Sequence, residues 1–245
     1  MNTRRLTAAL SNDVRFQYRY GFYLLYLVIT IIYAGILLAM PQSWRPLAAA
    51  VIVFSDPAAL GLFFMGGIVL FEKSERTLDF LFVSPFTPGE YLFAKVLSLA
   101  LISTLAGLAI ASIAVPEGIS PAVLAAGLFT GSVLFSLTGL ATAGRVRSLN
   151  RFFMAIAPIS LVLWVPPFMV LGQLMNLWQL PGPMGLWELH PGTALLSVML
   201  RGTGAAGDVS VAKHLVTVAA WAALAIPLVL GRVTKMVKEL GGMGL

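Results

Sequence analysis

The hydrophobic and polar positions of this chain fall into six long apolar runs: Phe22 to Met40, Leu47 to Phe71, Tyr91 to Val115, Ala122 to Ala143, Phe152 to Leu171 and Val211 to Leu230. At a helical rise of about 1.5 Å per residue, each can cross a hydrocarbon core of roughly 30 Å, some with tilt. Soluble cores are built from shorter runs that charge interrupts. The pattern therefore predicts an all-α integral membrane protein whose six transmembrane helices form one transmembrane domain over residues 1–245. Four arginines precede the first run and no small-residue cleavage pattern follows it, so it reads as a retained helix.

The segments between the runs carry patterns of their own. Leu6, Leu10, Val14 and Tyr18 recur every fourth residue with arginines on other faces, which predicts an N-terminal interfacial helix over residues 1–20. After the second run, Glu72, Glu75 and Asp79 share one helical face while Leu78 and Phe82 mark another. Span two is thus predicted to run on as an amphipathic helix until Pro85, with a second, very short element near Pro88. The segment from Gly172 to Ser210 is long yet rich in Leu, Trp, Met, Pro and Gly. Apolar material of that kind predicts a short re-entrant or interfacial helical pair buried against protein, with Trp178 and Trp187 at headgroup level. Pro158, Pro166 and Pro167 in span five and Pro227 in span six predict kinks.

Composition agrees with the bilayer reading, at 59% hydrophobic, 11% charged and a mean hydropathy of +0.91. Charge adds an orientation. With a cytoplasmic amino terminus, only Arg45, Arg201 and Lys213 of the 16 Lys and Arg fall outside, leaving thirteen inside. That positive-inside bias puts both termini in the cytoplasm and the chain in the cytoplasmic (inner) membrane as a multi-pass protein. It also assigns the net charge of +6 to a membrane surface, with no nucleic acid as partner.

Candidate chemistry is sparse. With no cysteine, disulfides, thiolate metal sites and cysteine nucleophiles are excluded. His190 and His214 lie far apart without acids at ligand spacing, so no metal site is expected and interfacial hydrogen bonding is their better role. The sequence contains no G-x-x-x-x-G-K-[ST], G-x-S-x-G or H-E-x-x-H, so no enzyme activity and no ATPase site are expected, and no cofactor in this chain. Asp56, the one acid inside a proposed span, has two readings. In one, Ser55-Asp56-Pro57 caps a helix that starts at Pro57 near the outer surface. In the other, span two is broken there and Asp56 faces a cavity that receives a cationic amine. Gly127 and Gly131 form a G-x-x-x-G with Gly139 further along the same face, which suits close packing either within the chain or between two copies.

The stretch from Phe71 to Phe86 is the most charged in the chain. With Glu75, Arg76, Thr77, Leu81, Ser84, Pro85 and Lys95, it resembles the signature of ABC-2 type ABC transporter permeases, although Arg76 runs directly into Thr77 without the family's usual Gly. The six-span layout, the amino-terminal helix and His190-Pro191 followed by Arg201 extend the resemblance along the chain. Through Ser55-Asp56, Gly61-Leu62-Phe63-Phe64 and Phe71-Glu72-Lys73 the sequence is most similar to fluoroquinolone-export permease subunits. Haem-exporting permeases of cytochrome maturation share the layout.

The resemblance implies a membrane-spanning permease subunit of an ATP-binding-cassette exporter that moves a hydrophobic or amphipathic molecule, drugs included. Its implied partners are a separate ATPase subunit that carries ATP and Mg, a second permease copy or a related permease, and membrane lipid. It further implies a cytosolic coupling helix between helices 2 and 3, with Glu72, Lys73, Glu75, Arg76, Thr77, Asp79, Phe82 and Pro85 coupling to the ATPase. The substrate pathway would then run along spans two and five at Asp56, Phe63, Phe64, Trp164 and Phe168, beside Leu60, Ile68, Val69 and Met154. The rival readings are a gradient-driven secondary transporter or channel, a haem or lipid exporter permease of the same architecture, and a scaffold without transport.

Overall fold

The computed structural model describes residues 3–55, 59–75, 87–207 and 209–241, and these are helix and turn throughout. In chain order the helices are α1 (Thr3–Arg19), α2 (Phe22–Ala39), α3 (Arg45–Ser55), α4 (Leu60–Ser74), α5 (Pro88–Ala114), α6 (Pro121–Ala143), α7 (Leu149–Leu174), α8 (Met184–Glu188), α9 (Pro191–Gly202) and α10 (Val211–Gly241). Six stretches are long and apolar enough to cross a bilayer: α2, Arg45–Ser74, α5, α6, α7 and Val211–Met236. They fall on the six runs of the sequence, and the chain is an all-α integral membrane protein. The second stretch comprises two described helices, α3 and α4, on either side of residues 56–58.

Local chemistry fixes several ends. At α5, Thr87 Oγ1 accepts from the Glu90 amide at 3.2 Å and Glu90 Oε2 accepts from the Thr87 amide at 3.0 Å, with Pro88 at the first helical position. This reciprocal cap satisfies two of the amides that a helix start leaves free. The residues from Pro88 are therefore the first turn of the third spanning helix, and no separate short element stands there among the described residues. On the other side, α4 ends at Ser74, where the Glu75 amide donates to Phe71 O. The expected continuation to Pro85 falls on residues 76–86, outside the described residues.

The core centres on α6, which packs against α4, α5, α9 and α10, while α2, α7 and α10 leave most of their apolar surface open. Small residues explain why α6 takes the centre. A Cβ at Gly139 would come within 2.9 Å of Gly61 O, and one at Gly127 within 2.7 Å of Val198, while Leu195 closes on Gly131. The face carrying Gly127 and Gly131 is thus spent within the chain, on α9.

The segment before α10 folds into α8 and α9. Ten of the twelve residues of α9 are buried, against α3, α6, α7 and α10, and the Ser120 amide donates to Gly202 O at 2.7 Å. The indole N–H groups of Trp178 and Trp187 donate to Met169 O and Pro181 O at 2.9 and 3.1 Å. The seat of α9 depends on the prolines of α7. That helix persists through Pro158, Pro166 and Pro167, but a proline has no N–H, so Pro166 and Pro167 leave the carbonyls of Val162 and Leu163 without their usual partners four residues on. The turn entering α9 packs against both: His190 hydrogen-bonds to the Val162 backbone, and Gly192 lies so close to Leu163 O that no side chain fits.

Burial holds the His190 pKa below the usual imidazole value, with the Val162 hydrogen bond opposing it. The folded protein therefore binds this proton less readily than the unfolded chain. The contribution is complete above the unfolded value of about 6.5 and is lost as pH falls below it. Thermal unfolding in detergent should show a midpoint that drops between pH 7.5 and 5.5. His190→Asn, which keeps a donor for Val162 but cannot titrate, should flatten that slope.

Candidate functional site

Where α4 ends and α5 begins, side chains from three helices meet in a buried polar network. Lys95 stands two turns into α5, with Tyr91 and Ser98 on the same face; Glu72 comes from the last turn of α4, and Asp13 and Gln17, one turn apart, from α1. The Lys95 ammonium donates to Asp13 and, at 2.5 Å, to Glu72 Oε1. The Tyr91 hydroxyl donates to Glu72 Oε2 at 2.8 Å. Gln17 Nε2 donates to Asp13 Oδ2 at 2.9 Å, and Ser98 Oγ donates to the same carboxylate. Asp13, Glu72 and Lys95 are 3%, 4% and 4% exposed. The ammonium also lies 5.4 Å and 5.6 Å from the ring centres of Phe16 and Tyr91.

Taking three charges out of water costs several kcal/mol per ion, which geometry must offset. Here it does so by completeness: every oxygen of the two carboxylates accepts a hydrogen bond. One cation serving two anions makes each of the three helices depend on the other two, so α1, α4 and α5 are fastened at a single point.

This arrangement redistributes the residues singled out in the sequence. Glu72 was expected on the face offered to a partner; instead its carboxylate is buried and committed to Lys95 and Tyr91. Lys73 is also engaged within the chain, its ammonium donating to Ala143 O at 2.8 Å and Val146 O at 3.2 Å, where it closes the C-terminal end of α6. Glu75 is exposed and accepts a hydrogen bond from Tyr20 at 3.1 Å. Arg76, Thr77, Asp79, Phe82 and Pro85 lie outside the described residues, as does Asp56.

Of the expected pathway residues, Trp164 and Phe168 follow each other by one turn of α7 and meet Phe63 and Phe54, with ring centres 5.9 and 6.1 Å apart. The buried Trp164 indole N–H has no acceptor among the described residues. Phe64 points elsewhere, onto Phe22 and Tyr26 of α2 at 5.4 and 5.7 Å. Leu60, Ile68 and Val69, 5%, 1% and 0% exposed, are buried in the core of the chain.

Sequence reading missed Asp13, Gln17, Tyr91 and Ser98. α1 was read by its apolar stripe, yet Val14 and Tyr18 on that stripe are 43% and 77% exposed, and its buried side chains are Asp13 and Gln17. The available signal was an acid on an otherwise basic helix, one turn before a glutamine.

The family model of the fluoroquinolones export permease proteins matches residues 4–231. Two relatives are the fluoroquinolones export permease proteins of Mycobacterium tuberculosis strains CDC 1551 / Oshkosh and ATCC 25618 / H37Rv. Each is 34% identical over 164 residues, which cover 66% of this chain and 69% of the relative.

Proposed function

This chain belongs to the fluoroquinolones export permease protein family, and from that membership we propose that it is the membrane-spanning subunit of an ATP-driven exporter. A separate subunit binds and hydrolyses ATP with Mg, and a second permease completes the pathway. The proposal puts the protein in the cytoplasmic membrane with both termini inside, where most of its basic residues gather.

The observation that carries this reading is the fastening of α1, α4 and α5 by Asp13, Glu72 and Lys95. A push on the chain leaving α4 moves three helices as one body, as a lever requires. In this scheme Glu75 and Arg76 meet the ATPase, while Glu72 and Lys73 hold the lever to the bundle from within. The cargo is aromatic and amphipathic, in keeping with the relatives' name, and it passes the Trp164 and Phe168 edge of α7. There the Trp164 and Phe168 rings offer an aromatic surface to a planar ring.

The same buried charges favour one rival, a carrier driven by an ion gradient, because ionisable groups buried in a spanning helix are the usual material of a proton relay. Inverted vesicles separate the two. ATP-dependent uptake of a fluoroquinolone should persist in the presence of a protonophore. The pair Glu75→Lys and Arg76→Glu should lower substrate-stimulated ATP hydrolysis by about tenfold. Collapse of uptake by the protonophore alone, or full stimulation in the reversed pair, would overturn the proposal.

A further inference from the structure

Helix α1 turns its acid inward and its arginines outward. Asp13 is buried against Lys95, whereas Arg15 and Arg19 are exposed and form no salt bridge among the described residues. Over residues 7–19 the outer surface of the helix therefore carries positive charge only. Beside it, α1 and α2 border an open, shallow groove lined by Val14, Arg15, Tyr18 and Tyr23. The two tyrosine rings stand 6.4 Å apart, and the groove continues into the open apolar side of α2 at Leu27 and Ile31.

We propose that this groove holds a phospholipid with an anionic headgroup. Its phosphate pairs with the Arg15 guanidinium, and its chains lie along Tyr18, Tyr23 and the outer side of α2. The physical case has three parts. A guanidinium grips phosphate through paired hydrogen bonds. Tyrosine suits the boundary between headgroup and chain, since one end is apolar and the other wet. The groove also merges with a surface that must face lipid, because α2 spans the membrane with most of its side chains unburied. A second copy of the chain is disfavoured as occupant, because a two-fold contact would bring together two copies of a face that carries only positive charge. The consequence is that a bound lipid presses α1 onto the bundle and keeps Asp13 within reach of Lys95.

Native mass spectrometry of the full chain in detergent tests this, titrating phosphatidylglycerol and phosphatidylcholine of matched acyl chains. Phosphatidylglycerol should bind more tightly by about fivefold, the factor one arginine supplies toward an anionic surface. Arg15→Gln should abolish the preference and Arg15→Lys should retain most of it. Tyr18→Ser should weaken both lipids. Arg147→Gln, an exposed arginine between α6 and α7, should change nothing. Equal binding of the two lipids to the unaltered protein, an unchanged preference in Arg15→Gln, or an equal loss in Arg147→Gln would each overturn the assignment.

Discussion

Replacing Lys95 with methionine is expected to unseat α1 and destabilise the protein by about 3–5 kcal/mol, the cost of stripping one partner from a buried ion pair. The large effect follows from what stays behind. Asp13 and Glu72 would face each other without a counter-charge, each less than a twentieth exposed. The structure also specifies the cure. In the triple variant Lys95→Met, Asp13→Asn, Glu72→Gln no charge is stranded, Gln17 and Tyr91 keep neutral partners, and most of the lost stability should return. The check is the unfolding midpoint by fluorescence-detected size exclusion in detergent. A triple variant no better than the single one would mean that the ion pairs themselves, rather than the absence of stranded charge, hold the three helices.

A second large effect is expected at Gly139. An added methyl group there meets the backbone carbonyls of Gly61 and Leu62 on α4, which cannot swing aside as a side chain can. Gly139→Ala should force α4 from α6 and cost about 3 kcal/mol, the upper part of the range for overpacking. Gly67 of α4 provides the control, since an added Cβ meets nothing within 4 Å. Gly67→Ala should be neutral, or stabilising by up to about 1 kcal/mol through helix propensity. Loss of monodisperse protein for Gly139→Ala but not for Gly67→Ala is the predicted outcome. Equal behaviour of the two would refute the tight crossing.

The two positions show what the sequence could and could not convey. Six spans were legible because length and apolarity are summed over some twenty residues, and no single side chain decides them. Gly127 and Gly131 announced a close approach, yet the partner was left open: a small-residue stripe states that something packs there and does not say what. Asp13 and Lys95 were illegible as a pair because 82 residues separate them and each has an ordinary role alone, a helix acid and a basic residue near a membrane edge. Glu72 misled for a related reason. Helical spacing put it on one face with Glu75, but the last turn of α4 still lies inside the bundle, and one turn of helix separates a buried acid from an exposed one. The aromatic pairing of α7 was half legible. Phe63, Phe64, Trp164 and Phe168 were placed along one pathway by family resemblance; Trp164 does meet Phe63, while the rotation that sends Phe64 to α2 is set by packing that no periodicity records.

The paired prolines of α7 carry a mechanical consequence. A rod notched at two adjacent points and splinted from outside can flex only when its splint lets go. Here the splint is the short turn of His190 and Gly192, itself the root of the most deeply enclosed short helix in the bundle. A bend of α7 at these prolines would therefore have to displace that turn, which lies against the backbone the prolines leave unpaired.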